Sequence, residues 1–341
     1  MVERNRRFVK PVQNEENSKE LIQGLLNQDR AVLAKVITLI ESNAVRHQEQ
    51  SKNILQKLLP YSGQSIRIGV TGVPGAGKST FIETFGHLLC EQGHRVAVLA
   101  IDPSSPISGG SILGDKTRME KLAKHPNAFI RPSPSRGELG GVHTRTRESI
   151  IACEAAGFNV IIVETVGVGQ SESIVRSMVD FFLLLVLTGA GDELQGMKKG
   201  ILELADLITV NKADGDNFNQ AKKTMREYNQ ILHFIQPATV GWDTKATICS
   251  SLTGTGIDEV WETIQDFIKA TQSNSAFKER RQKQVKDWLF ALIREQLETA
   301  FFNDEHIKEV WPKVEFAVMN GDTTVPDAAD LLFSAYKKKD S

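Results

Sequence analysis

The 341-residue chain carries 41 Lys and Arg against 42 Asp and Glu, a formal net charge of −1, with 40% hydrophobic and 24% charged residues. That balance excludes a wholly disordered chain and gives no electrostatic reason to expect nucleic acid or an anionic membrane as a partner. Three separated cysteines (Cys90, Cys153 and Cys249), a longest apolar run of only Phe181 to Leu187 and a charged N-terminus without an apolar segment behind it lead to the expectation of a cytoplasmic protein with free thiols.

Helices come first along the chain. Leu21, Ile22, Leu25 and Leu26, then Leu33, Ile37 and Ile40, recur at three- and four-residue spacing up to about Pro60. Asp29 is placed to cap the second of these helices. From Ser65 the pattern changes to short β-branched runs separated by helical stretches: Ile66–Thr71, Val96–Ile101, Val160–Val163, Phe181–Leu187, Leu207–Val210 and Ala246–Cys249. Near-continuous apolar strands alternating with helices predict an α/β fold, a doubly wound and mainly parallel sheet with helical extensions at both ends; the loop that follows the first strand makes it the P-loop NTPase type.

The first strand runs directly into Gly72-Val73-Pro74-Gly75-Ala76-Gly77-Lys78-Ser79, followed by a helical stretch from Thr80. This is G-x-x-x-x-G-K-[ST] in the strand–loop–helix context that it requires. The glycines open backbone conformations in which successive N–H groups converge on phosphate oxygens, and the helix N-terminus adds its dipole. Lys78 is expected to reach the β- and γ-phosphates, and Ser79 to bind Mg²⁺.

Two strands end in an acid, Ile101-Asp102 and Val163-Glu164, and either suits a Walker-B carboxylate holding Mg²⁺ directly or through water. Glu164-Thr-Val-Gly167 has the spacing of D-x-x-G with Glu for Asp. That assigns the Gly167 amide to the γ-phosphate, and the longer Glu side chain favours a water-mediated role. Gln170 lies three residues beyond Gly167 and receives no role in orienting water. Between the second and third strands lies a polar, glycine-rich stretch containing Asp102–Gly110, Gly114–Arg118 and Ser133–Gly137. It is expected to pack no core and to be switch-like or partner-binding. Asp115 is a second candidate acid there, and Arg118 and Arg136 are candidate phosphate contacts. Gly189–Asp192 to Lys198-Lys199-Gly200 forms a further charged, flexible loop.

The strand Leu207–Val210 ends in Asn211-Lys212-Ala213-Asp214, an N-K-x-D sequence at the end of a parallel strand where ligands bind in such sheets. A carboxylate at Asp214 accepts two hydrogen bonds, which guanine offers side by side from N1–H and its 2-amino group. Adenine would leave the carboxylate facing a lone pair, and an unpaired buried polar group is costly. Lys212 is expected over the base, Asn211 as a brace, and Ser250-Ser251-Leu252 as the loop presenting backbone N–H to guanine O6. After about Asn274 the strands stop. Val285, Trp288, Leu289, Leu292, Ile293 and Leu297 make a helical stripe, and Pro312 and Pro326 are expected to break up the remainder of the chain. These changes divide the chain into a helical segment 1–62, a nucleotide-binding domain 63–273 and a helical arm 274–341.

Several blocks resemble the ArgK/MeaB family of GTPases: GVPGAGKST from Gly72, AIDPSS from Ala100, SILGDKTRM from Ser111, RPSPSRG from Arg131, ETVGVGQSE from Glu164, QGMKKG from Gln195 and NKAD from Asn211. Asp29–Ser42 resembles its N-terminal helical segment. The resemblance implies a Mg²⁺-dependent GTPase that binds GTP and GDP. It further implies a chaperone of an adenosylcobalamin-dependent acyl-CoA mutase, typically methylmalonyl-CoA mutase, that gates cofactor loading and protects or reactivates the mutase. A homodimer joined through C-terminal helices is implied too, with the Gln195–Gly200 loop signalling to the mutase. By position, Ser79, Asp102 and Glu164 become metal-site candidates, and Lys78, Asp102, Asp115 and Glu164 catalytic ones. Three other readings compete: a GTP-dependent metal-insertion protein, a GTP-binding scaffold with negligible turnover, and a phosphate-transferring kinase, to which the transport-system kinase label of some relatives corresponds. The first is disfavoured because the cysteines are isolated and His87, His94 and His143 form no obvious pair.

Overall fold

The computed structural model describes residues 12–102, 119–134, 139–165, 171–188 and 199–337. Helices α1 (Val12–Leu26), α2 (Arg30–Ile40) and α3 (Val45–Leu58) lead into strand β1 (Ile66–Gly72) and helix α4 (Lys78–Glu91). Asp29 caps α2 as its position suggests, accepting from the amides of Ala31 and Val32 at 2.8 and 3.2 Å. Strand β2 (Val96–Asp102), helix α5 (Glu120–Lys124), β3 (Ala128–Pro134), α6 (Leu139–Ala155), β4 (Val160–Thr165), α7 (Ser171–Arg176) and β5 (Phe181–Val186) come next. Then come α8 (Lys199–Leu202), β6 (Leu207–Val210), α9 (Phe218–Leu232), β7 (Lys245–Ile248) and α10 (Ile257–Ser273). The chain ends in α11 (Ala276–Phe302), α12 (Glu305–Met319) and α13 (Val325–Lys337).

The seven strands form one sheet in the order β3-β2-β4-β1-β5-β6-β7, and every pairing is parallel. Alternate side chains of each strand point to opposite faces. Ile68, Val70, Val98, Ile162, Leu183 and Leu185 pack under Phe81, Phe85 and Leu89 of α4 and Trp261 and Ile264 of α10. Ala97, Leu99, Ile161, Val163 and Phe182 pack on the other face with Cys153 of α6 and with Leu33, Ile37, Ile54 and Leu58. The N-terminal helices therefore share the core of the sheet. Burial on both faces is what the near-continuous apolar runs require.

Strand β3 overturns the expectation that the stretch after β2 packs no core. Ala128, Phe129 and Ile130 are buried, as are Met119 and Leu122 ahead of them. Only three apolar residues precede Pro132 and Pro134, so the run reads as a loop. It is a strand because it lies at the sheet edge, where proline is tolerated.

At the opposite end of the strands from the phosphate loop, two fully buried carboxylates meet arginines. Asp180 accepts from Arg281 Nε and Nη2 at 2.8 and 2.7 Å and from the Arg67 amide at 2.9 Å. Asp206 accepts from the Phe182 amide at 2.9 Å and pairs with Arg176 at 3.1 Å and Arg280 at 3.6 Å. Arg281 also donates to the carbonyls of Gly63 and Ser65. Additional hydrogen bonds, here from the amides of Arg67 and Phe182, offset part of the cost of desolvating such pairs.

The chain divides into two compact units at Gln282 and Lys283. In the second unit, α12 begins at an N-cap, where Asp304 accepts from the amides of His306 and Ile307 at 2.9 and 3.2 Å. Pro312 lies inside α12 and Pro326 is the second residue of α13, so neither proline is the break. The breaks fall at Asn303–Asp304 and between Asn320 and Thr324. Val285, Leu289, Phe290 and Leu297 of α11 are exposed.

Candidate functional site

The loop between β1 and α4 has the geometry that its glycines permit. Gly77, the residue before α4, has φ +84°, and a Cβ there would lie 2.9 Å from Asn211 Nδ2. Gly72 pairs in register with Leu185 of β5, and a Cβ on it would lie 2.3 Å from the Leu185 carbonyl oxygen. The Ala76 amide donates to the Val73 carbonyl at 3.1 Å, which closes the turn. Lys78 Nζ donates to the carbonyls of Gly72 and Val73 at 2.7 and 3.3 Å. Burial lowers the pKa of the Lys78 ammonium from its ordinary value, and the carboxylates of Glu164 and Glu172 partly offset that.

Ser79, on the first turn of α4, donates its hydroxyl to Glu164 Oε1 at 3.1 Å. Glu164 is buried within β4 beside β1, where Val70 is its register partner. A serine hydroxyl and a carboxylate converging beside a phosphate loop form a set of hard oxygen donors, the type that Mg²⁺ prefers. Asp102 ends β2, but its side chain lies outside the described residues, as do Asp115, Arg118, Arg136, Gly167, Gln170 and the Gly189–Lys198 stretch.

Twin loops after β6 and β7 complete the arrangement. Asn211 is buried and acts as a hub. Its Nδ2 donates to the Ala76 carbonyl at 2.8 Å, and its Oδ1 accepts from the Ser251 amide at 3.1 Å and the Ser251 hydroxyl at 2.8 Å. This one side chain joins the phosphate loop to both of the other loops. The Ala213 amide donates to the Cys249 carbonyl at 2.9 Å. Ser250 donates its hydroxyl to Asp214 Oδ2, which orients the carboxylate and leaves Oδ1 and the remaining lone pairs for a ligand. Leu252, next in this loop, is 82% exposed. The structure thus brings Gly72–Thr80, Glu164, Asn211–Asp214 and Ser250–Leu252 to one edge of the sheet.

Sequence reasoning placed Ser250 in this loop for its backbone but missed that its hydroxyl binds Asp214, and it missed Glu172. Glu172, buried on the first turn of α7, acts electrostatically on Lys78 across the phosphate loop. Its place in the block from Glu164 to Glu172 was the only signal pointing to it.

Comparison with known proteins shows the family. Residues 33–306 match the family described as Methylmalonyl Co-A mutase-associated GTPase MeaB. The chain is 48% identical over 307 residues to the GTPase ArgK of Escherichia coli, covering 90% of this chain and 93% of that protein. It is 44% identical over 329 residues to the mitochondrial methylmalonic aciduria type A homolog of Mus musculus, covering 94% and 79% respectively. A solved structure titled LAO/AO transport system kinase superposes with a TM-score of 0.76 at 38% identity, covering 97% of this chain and 99% of the other.

Proposed function

The chain belongs to the MeaB family of GTPases, and from that premise we propose that it is a Mg²⁺-dependent G-protein chaperone of an adenosylcobalamin-dependent acyl-CoA mutase, methylmalonyl-CoA mutase being the first candidate. Binding of a guanine nucleotide and its hydrolysis to GDP and phosphate follow from the family. The partner and the metal are our reading. The partner rests on the family's description and the metal on the meeting of Ser79 with Glu164; the nucleotide assignment is supported by the junction at Asn211, which ties the loop before α4 to the loops carrying Asp214 and Ser251.

In this proposal the amides of Gly72–Thr80 cradle the phosphates and Lys78 exchanges its two carbonyl partners for the β- and γ-phosphate oxygens. Ser79, Asp102 and Glu164 hold Mg²⁺, which would supply positive charge to the phosphate oxygens when bound. Gly167 contacts the γ-phosphate, and Asp102, Asp115 and Glu164 are the acids from which catalytic roles are drawn. Asp214 reads N1–H and the 2-amino group, Lys212 covers the base, and Ser250–Leu252 face O6. The Gln195–Gly200 segment reports the nucleotide state to the mutase, which takes up or keeps its cofactor accordingly. We assign 1–62, 63–273 and 274–341 to the N-terminal helical segment, the GTPase domain and a homodimerisation arm, in a cytoplasmic protein. Support for the arm comes from an apolar groove of about 660 Å³ lined by Leu297, Phe301, Trp311, Val318, Leu332 and Tyr336. No helix among the described residues is long and apolar enough to cross a membrane.

Phosphate release from GTP with Mg²⁺, set against ATP, tests the nucleotide assignment. Lys78→Ala is expected to abolish binding, Asp214→Asn to weaken GTP binding, and the wild type to ignore ATP. Equal turnover of ATP would overturn the guanine reading. Retention of an acyl-CoA mutase from cell extract on the protein loaded with a non-hydrolysable GTP analogue tests the chaperone role, and failure to stabilise or load that mutase would reject it. The name of the solved relative favours a second reading as a transport-system kinase. Transfer of the γ-phosphate to a transport protein, rather than to water, would establish it.

A further inference from the structure

We propose that Asn217 is a positioning residue for nucleotide recognition, which clamps Lys212 in the backbone conformation that carries its side chain across the phosphate loop. The inference rests on the guanine reading of the site and concerns a residue outside the N-K-x-D tetrapeptide.

Lys212 has φ +59°, one of three non-glycine residues with positive φ among the described residues. For an L-residue this conformation is strained, and it persists only where neighbours over-determine it. The gain is directional. Beyond the end of β6 the chain turns so that Asn211 Nδ2 reaches the Ala76 carbonyl, while Lys212 Cε passes 3.9 Å from the position a Cβ on Gly77 would occupy. The lysine stem therefore lies along the phosphate loop, where the face of a bound base would rest on it.

Three hydrogen bonds hold the turn. The Ala213 amide is tied to Cys249, and the Asn217 amide donates to the Asp214 carbonyl at 3.0 Å. The third comes from the Asn217 side chain, whose Nδ2 donates to the Lys212 carbonyl at 2.6 Å. Its Oδ1 accepts from the Thr188 hydroxyl at 2.7 Å, just beyond β5. A carbonyl can only accept, so the partner at Lys212 fixes which end of the amide is nitrogen. Asn217 is thus a rigid two-ended connector from the end of β5 to the carbonyl of the strained residue. Aspartate would keep the Thr188 end and place a lone pair against the Lys212 carbonyl, serine would be too short, and glutamine is one methylene too long. The residue type is accounted for by the job.

A positioning role makes predictions that a merely structural one does not. Asn217→Asp is expected to weaken GDP binding by about tenfold, measured by calorimetry with Mg²⁺ present. It should weaken binding of IDP, which lacks only the 2-amino group, by the same factor, because Asp214 still reads the base edge. In a Lys212→Ala background the same change should cost less than twofold, since groups acting as one unit are not additive. Thr188→Val removes only the outer anchor and should fall between wild type and Asn217→Asp. Full additivity of Asn217→Asp with Lys212→Ala, or a lowered melting temperature with unchanged GDP affinity, would overturn the proposal. Absence of GDP binding by the wild type would instead reject the guanine reading on which it stands.

Discussion

Replacing Asn211 by alanine tests the idea that one buried amide joins three loops into a single site. The side chain is 1% exposed and satisfies the Ala76 carbonyl, the Ser251 amide and the Ser251 hydroxyl. The Ser251 hydroxyl can rotate to another partner, but the two backbone groups cannot follow it. Each orphaned buried group costs about 1–3 kcal/mol, giving about 2–6 kcal/mol before local relaxation. Against a typical total of about 5–15 kcal/mol this is a large fraction. Urea unfolding should show a lower midpoint with little change in slope, and GDP affinity should fall as the phosphate loop and the Asp214 loop lose their common brace. The control is Ser251→Ala, which removes the hydroxyl and keeps the amide, and should cost no more than about 1.5 kcal/mol. If Asn211→Ala lay within about 0.5 kcal/mol of wild type, or if Ser251→Ala cost as much, the hub would be incidental and the reasoning wrong.

Gly72→Ala is expected to destabilise by roughly 1–3 kcal/mol and to impair nucleotide binding, because its Cβ would lie 2.3 Å from the backbone oxygen of Leu185; thermal melting and GDP titration check both. Asp180→Ala leaves Arg281 without its two-pronged partner and should cost about 3–5 kcal/mol in urea unfolding, far more than removal of the exposed Lys223–Glu227 pair. Burial, the largest cause, raises the Cys90 thiol to about 11 and the Cys249 thiol to about 12, and pushes Cys153 up as well. These folded-state values exceed the ordinary 9.0. The thiols therefore contribute stability that is complete below that value and is lost as pH rises through about 11 to 12. A thiol reagent near neutral pH should leave the native protein unmodified and label all three cysteines in denaturant.

Contiguous features were legible before any coordinates. The phosphate loop, the N-K-x-D tetrapeptide and six of the strands are local patterns, in which residue spacing alone carries the physics. What escaped depends on neighbours far apart in the chain. β3 reads as loop because two prolines follow three apolar residues, and only its place at the sheet edge makes it a strand. Pro312 was expected to interrupt a helix that contains it. The bonds from Ser250 to Asp214 and from Asn217 to Thr188 span 36 and 29 residues, so no local window contains both partners. Asp29, by contrast, caps a helix two and three residues away, and such a bond is visible in the sequence.

The arginines at the root of α11 also bear on how the chain can be assembled. Arg281 meets Asp180 across 101 residues and the carbonyl of Ser65 across 216. Contacts of that span form late, because closing long loops is entropically costly until the intervening structure exists. On the ribosome, every strand of the sheet emerges before Arg281, so Asp180 lacks its two-pronged partner until the start of α11 has been made. A fragment cut just after α10 would reproduce that unfinished state permanently, and a boundary placed beyond Gln282 would avoid it.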